Sequence, residues 1–220
     1  MEVEIWSDIA CPWCYIGKRH FEAALSAFEH AEDVNVTWRS FELDPSAPPE
    51  IPGSSAEMLA QKYGMSAEQV EASQARLTQM AAAVGLDYHL DSTRMGSTFD
   101  GHRLVQLARR HGLQDAVKER LLRARLIEGR LISDPETLLS VAAEVGVPED
   151  EVRAMLASDD FADEVRADER AAQQLGISGV PMFVLDRRFG ASGAQPPEQL
   201  LALLRHGWDN GGADQSRSAA

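Results

Sequence analysis

The chain has 220 residues, with 35 acidic against 21 basic side chains and a formal net charge of −14. That charge repels nucleic-acid phosphates and anionic lipid headgroups, so neither is expected as a partner. No stretch approaches the roughly 20 apolar residues of a membrane-spanning helix, and Met1-Glu2-Val3-Glu4-Ile5-Trp6-Ser7-Asp8 lacks the basic and apolar regions of a secretory signal, so the expected location is cytoplasmic.

Val3 to Ser7 reads as a short strand, Asp8-Ile9-Ala10 as a loop, and the next segment as a helix in which Phe21, Leu25 and Phe28 share a face. Val34 to Phe41 alternates Val34, Val36 and Trp38 against Asn35, Thr37 and Arg39, the pattern of a half-buried strand. Asp44 to Gly53 then holds four prolines and can continue neither strand nor helix, which places a boundary there. From there to about residue 157 the pattern is helical: Val70, Leu77, Met80 and Val84 share a face, as do Leu104, Leu107 and Ala108, and Val117, Leu121 and Ala124. Ser66 with Gln69 and Ser133 with Glu136 have the spacing of capping boxes, and Gly146 suits a helix C-terminus.

A further helix is expected from Ser158 to Leu175, with Phe161, Val165, Ala172 and Leu175 inward. Val180 to Leu185 reads as a strand, Asp186-Arg187-Arg188 as a turn and Phe189-Gly190-Ala191 as a short partner strand. Pro197 to Arg205 forms a last amphipathic helix. The expected organisation is α/β, with residues 1–50 and 158–210 forming a discontinuous domain, 51–157 a helical insertion and 211–220 a disordered tail.

The chemistry-bearing feature is Cys11-Pro12-Trp13-Cys14, which holds the only two cysteines. Two cysteines three positions apart are no disulfide framework; they point to redox chemistry or to half of a metal site. A zinc site needs two more ligands, and His20, His30, His89, His102, His111 and His206 are scattered without finger or ribbon spacing, so no metal is expected. A cysteine that ends a loop and starts a helix meets unpaired N–H groups and the helix dipole, which favour its thiolate. Pro12 then suits the first helical position. Cys11 is therefore expected to be the exposed attacking thiol and Cys14 the resolving one.

Around the pair, Lys18 and Arg19 read as ordinary exposed helix charges and Asp8 as a loop carboxylate bonded to backbone N–H groups. His102, on an apolar face, reads as a hydrogen-bonded structural histidine. Trp13 is expected at an exposed rim where it can touch substrate, whereas Trp6, Trp38 and Trp208 read as packing residues. Residue physics alone would make the Val180-Pro181 bond trans, since only about 5–6% of X-Pro bonds in folded proteins are cis.

Taken together, the chain resembles the DsbA-like branch of the thioredoxin superfamily, and in particular the FrnE-like oxidoreductases. The likeness rests on Cys11 to Gly17, Phe41-Glu42-Leu43-Asp44-Pro45, Gly85-Leu86, His102-Arg103-Leu104, Gly179 to Val184 and Ser192-Gly193-Ala194-Gln195. It implies a thioredoxin-like fold with a large α-helical insertion and a cis proline at Pro181 beside the cysteines. It further implies that Val180 and Pro181, with Pro12 and Trp13, contact an extended substrate chain. The implied activity is disulfide exchange through Cys11 and Cys14 with protein or small-molecule thiols, by a monomer or homodimer without a resident cofactor, glutathione serving at most as a redox partner. The chain departs from relatives in Ser97-Thr98 and Gly101 and in having no second cysteine pair. A neighbouring branch, the kappa glutathione transferases and 2-hydroxychromene-2-carboxylate isomerases, carries serine at the position of Cys11. Glutathione-dependent isomerisation is thus one alternative and a redox-silent, chaperone-like binding module another, and an aromatic or polyketide-like ligand in the cleft is left open.

Overall fold

In a computed structural model the described residues are 1–215. Four strands form one mixed sheet in the order β2-β1-β3-β4: β1 (Glu2–Ser7), β2 (Asn35–Ser40), β3 (Met182–Leu185) and β4 (Phe189–Ser192). β1 runs parallel to β2, in register Ile5 to Trp38, and antiparallel to β3, which pairs antiparallel with β4. As an interior strand β1 is covered on both faces. Its Val3 and Ile5 enter the main core, while Trp6 packs with Ala172, Ile177 and Val184 on the other side.

α1 (Pro12–Ser26) connects β1 toward β2; α2 (Ser55–Tyr63), α3 (Ala67–Ala82), α4 (Phe99–Arg109), α5 (Gln114–Leu126), α6 (Pro135–Val145) and α7 (Glu149–Leu156) come after β2. α8 (Ala162–Gln174) leads to β3, and α9 (Pro197–Gln215) comes after β4. Leu104 and Leu107 of α4 and Val117 and Leu121 of α5 belong to the same core cluster as Val3, Ile5, Trp38 and Phe183, so these helices are packed into the sheet's own core. A second cluster, with Tyr15, Ile16, Ala81, Leu86, Tyr88, Leu122 and Leu126, lies along the first turns of α1.

Several boundaries differ from those expected of the sequence, each for a physical reason. β3 starts at Met182, because Pro181 has no N–H to give to a ladder and its carbonyl instead accepts from Gly193 N at 2.8 Å. The Val180–Pro181 peptide bond is cis. α8 starts at Ala162, because Phe161 takes a left-handed conformation (φ 66°) and the carbonyls of Ser158 and Asp160 accept from Arg103. Leu175, past the last turn of α8, is exposed rather than inward. Met80 is also exposed: α3 packs through Val70, Leu77 and Ala81, and Met80 lies about a quarter-turn off that line.

The Ser66–Gln69 capping box is present, and so is one formed by Ser54 and Glu57. α6 is capped by Asp134, which accepts from Thr137 N at 3.2 Å, while the Ser133 hydroxyl donates to the Pro49 carbonyl. Gly146 ends α6 in the left-handed conformation expected of a helix C-terminus. α9 continues to Gln215, so Gly211 to Gln215 is helical rather than disordered; extending an existing helix is far easier than nucleating one, and Leu200, Leu204 and Trp208 anchor its body. The expected disorder of 216–220 lies outside the described residues.

The packing of α1 on the Val180–Pro181 loop depends on Gly17, since a Cβ there would lie 2.9 Å from Pro181 Cγ. Gly17→Ala is therefore expected to lower stability by about 1–3 kcal/mol in urea unfolding, the usual cost of overpacking, although alanine is the better helix former.

Candidate active site

The site begins where β1 ends. Cys11 is the N-cap of α1 with extended backbone (φ −89°, ψ 113°), Pro12 is the first helical residue, and Cys14 N donates to Cys11 O at 3.1 Å. The Cys11 side chain makes no capping bond.

Asp8 sets the preceding turn. Its buried carboxylate accepts from Ala10 N (3.0 Å), Leu43 N (2.7 Å) and the Thr98 hydroxyl (2.8 Å), with His102 Nε2 at 3.4 Å. Burial opposes ionisation, but hydrogen bonds from His102 and the backbone N–H groups prevail and hold its pKa at about 2. Asp8 is thus a permanent anion at neutral pH, engaged as expected of a loop carboxylate. His102, fully buried, is held by that burial below its usual pKa and stays neutral.

Both sulfurs are enclosed: Cys11 is 4% exposed and Cys14 1%. This corrects the expectation of an exposed Cys11, because the Val180 carbonyl lies 3.6 Å from Cys11 Sγ. Trp13 stands at the rim, 40% exposed. A cavity of about 600 Å³ opens beside the pair, and Cys11, Pro12 and Trp13 line it whereas Cys14 does not. Val180 N–H donates to no group among the described residues. Trp6 and Trp38 are buried, and Trp208 stacks on His30.

The charge balance differs from the expected picture of a helix dipole acting on Cys11. The Cys11 thiol donates to the Val180 carbonyl at 3.6 Å, and the two neighbouring thiols titrate as a pair. The proximity of Cys14, together with burial, pushes Cys11 well up. For Cys14 burial also opposes charge, but Cys11, the nearby Ser7 hydroxyl and the Lys118 ammonium outweigh it and bring the thiol below its ordinary value. One negative charge is therefore favoured and drawn toward Cys14; a second is opposed.

Lys118 is the residue beside the dithiol that sequence reasoning missed. It extends from α5, is 1% exposed, and donates from Nζ to Ser7 O at 3.0 Å. Among the described residues no carboxylate forms an ion pair with it. Burial pulls its pKa down to about 8 against the attraction of Cys14, Asp8 and Cys11. Lys18, expected to be exposed, is buried at 2% and paired with Glu22, Asp115 and Glu119, while Arg19 pairs with Glu22 and Glu119. These charges fasten α1 to α5. Among the described residues no group of three or more His, Cys, Asp or Glu is arranged to hold a metal ion, and no helix is long and apolar enough to cross a membrane.

Residues 2–205 match the DSBA-like thioredoxin domain family. The chain belongs to that family. Its α/β sheet and helices form a thioredoxin-like fold of the DsbA kind. The crystal structure of a probable DsbA oxidoreductase from Streptomyces coelicolor is similar at 49% identity and a TM-score of 0.92, over 96% of this chain and 91% of that one. The cytosolic disulfide reductase DsbM from Pseudomonas aeruginosa shares the fold at 20% identity and a TM-score of 0.63, over 94% and 98% of the two chains. An uncharacterized protein, YwbO, of Bacillus subtilis (strain 168) is 25% identical over 190 residues, 84% of this chain and 86% of that one. In this DSBA-like chain the dithiol, the cis-proline loop and the buried lysine meet at one end of the sheet.

Two substitutions separate the roles of the buried charges. Lys118→Met removes the cation facing Cys14, so the thiolate absorbance near 240 nm is expected to rise on the order of 1–2 pH units later than in the wild type. The same change removes a poorly partnered buried charge and should raise resistance to urea at pH 7. Asp8→Asn is expected to cost about 1–3 kcal/mol at pH 7, because an amide oxygen cannot replace both carboxylate oxygens. The folded Asp8 titrates at about 2, below its ordinary 3.8, so its stabilising share is complete above pH 4 and vanishes as the pH falls through 2. Urea midpoints of wild type and variant should therefore converge in acid.

Proposed function

We propose that the protein is a thiol–disulfide oxidoreductase of the FrnE-like branch, in which Cys11 attacks and Cys14 resolves. The observation that carries this reading is the asymmetry of the pair: Cys11 lines the cavity, while Cys14 lies behind it on the side of Lys118. A disulfide RS–SR reaching the cavity meets Cys11 first. In the singly ionised pair, transfer of the Cys11 proton to the Cys14 thiolate leaves a Cys11 thiolate, which attacks one sulfur, forms a Cys11–S–S–R bond and expels RS⁻. Cys14 then loses its proton, attacks the Cys11 sulfur, closes the Cys11–Cys14 disulfide and expels the second RS⁻. Two electrons pass to the substrate, and the reverse sequence oxidises a dithiol.

With a pKa near 8, Lys118 is suited to take the Cys14 proton when neutral and to return it as the pair is reduced. The free Val180 N–H and the Pro181 loop support recognition of an extended chain by strand addition, with Pro12 and Trp13 along its path. The protein's setting in this reading is the cytoplasm, because the chain keeps its only two cysteines for one motif and has none for a structural disulfide. Protein thiols or small thiols such as glutathione are its partners.

In a dithiothreitol-driven insulin reduction assay, Cys11→Ser is expected to remove turnover. Cys14→Ser should instead accumulate a mixed disulfide on Cys11 when given a small disulfide, seen as added mass on the intact protein. Undiminished turnover of Cys11→Ser, or adduct forming on Cys14 in that variant, would reverse the assigned roles.

A further inference from the structure

The cavity beside Cys11 holds a buried cation that no carboxylate of the fold contacts. Arg125 of α5 lines it, is 6% exposed, and donates from Nη1 to Arg94 O at 2.8 Å. Its Nε is buried without a partner, and among the described residues no carboxylate pairs with the guanidinium. A buried, under-partnered cation is unfavourable until an anion reaches it. The other charged group deep in the cavity is Asp8, which attracts the guanidinium without bonding to it, since its oxygens are already committed to Ala10, Leu43, Thr98 and His102. At the mouth stand Lys62 and Asp44, both exposed; Lys62 has no ion-pair partner among the described residues, and Asp44 accepts from Ser46 N and the Ser46 hydroxyl. These two charges offset each other at the entrance, so the under-partnered charge in the depth of the cavity is the cationic Arg125, which favours an anion there.

The walls decide the rest of the ligand. Ile51, Met58, Leu59, Met65 and Leu77 supply a flexible aliphatic lining, and methionine side chains conform to irregular shapes. The aromatic rings that line the cavity, Trp13 and Tyr63, are 40% and 62% exposed and offer no enclosed slot for a flat ring system. A volume of about 600 Å³ is that of a small-molecule site.

We propose that this cavity binds a small carboxylic acid with an aliphatic body, its carboxylate on Arg125 and its chain extending past Cys11. Binding does not depend on disulfide exchange and is expected whether or not the dithiol turns over. Titration calorimetry on the reduced full-length protein with decanoate and 1-decanol tests it, since the two probes share a chain and differ in charge. Decanoate is expected to bind at least about tenfold tighter, the scale of one charged hydrogen bond. Bound decanoate should also slow alkylation of Cys11 by iodoacetamide. Arg125→Met is expected to bring the two affinities together while leaving that of decanol in place, and Arg125→Lys should retain part of the preference. Equal binding of acid and alcohol by the wild type, an acid preference that survives Arg125→Met, or no decanoate binding up to about 1 mM would each overturn the proposal. Should Arg125→Met fail to fold, the wild-type comparison and Arg125→Lys decide it.

Discussion

The buried Asp8 carboxylate fixes where the thiols are. Its partners come from its own turn, from the segment after β2 and from the start of α4, so one ion ties together three stretches that are distant in sequence. That arrangement aims the first turn of α1 at the Val180–Pro181 loop and keeps Cys11 as an N-cap whose side chain makes no capping bond and reaches the Val180 carbonyl instead. The same charge opposes ionisation of Cys11, because a permanent anion nearby repels a thiolate. An anchor that orients a thiol while discouraging its ionisation is offset by a nearby cation. Lys118 provides it from α5, and its attraction to Asp8 as well as to the thiols shows that anchor, counter-charge and dithiol form one electrostatic unit.

α5 serves the site twice. Lys118 and Arg125 lie seven positions apart on one face, the first against the dithiol and the second on the cavity. Two buried cations with so few partners are a stability cost, of the kind proteins tolerate where function requires it. The cost is spread over a rigid frame, since Val117, Leu121 and Ala124 on the adjacent face belong to the main core. α2 and α3, which also line the cavity, are built differently: α2 contributes no fully buried residue, and α3 contributes only Val70 and Ala81. The charged positions thus sit on a helix embedded in the main core, and these apolar lining helices are less deeply buried.

Much of this architecture is legible in the sequence because it is local. Alternation marks β2, turn residues mark the β3–β4 hairpin, and Cys11-Pro12 after a strand marks the start of a helix whose first turn carries the second cysteine. Asp8 is readable as a backbone-binding loop carboxylate for the same reason. What escapes is decided by packing from both sides. Lys18, Lys118 and Arg125 are charged residues for which exposure is the sound default, and only the docking of α5 against α1 and β2 reverses it. The sequence does carry a trace of this: Val117, Leu121 and Ala124 fill one face of α5 while Lys118, Leu122 and Arg125 repeat at four and three residues on the next. A helix whose second face mixes leucine with spaced cations inside a buried segment has those cations pointed at something. Met80 and Leu175 err in the other direction, as apolar residues just beyond the edge of a buried face.

The coupling between Lys118 and the dithiol also limits what the Cys-Pro-Trp-Cys motif can say by itself. Raising the pH removes a proton from the pair, but near pH 8 it also removes the charge on Lys118 that favours the thiolate. The two changes oppose each other, so nucleophilicity should rise less steeply with pH than it would for an isolated thiol of the same midpoint. Once the pair is oxidised the thiolate is gone, and the lysine loses the partner that made its charge tolerable in a buried site. The singly ionised dithiol is therefore favoured by a residue outside the motif, contributed by a helix more than 100 positions along the chain. Two proteins with the same four residues at the start of α1 can differ in redox poise through what α5 places beneath them.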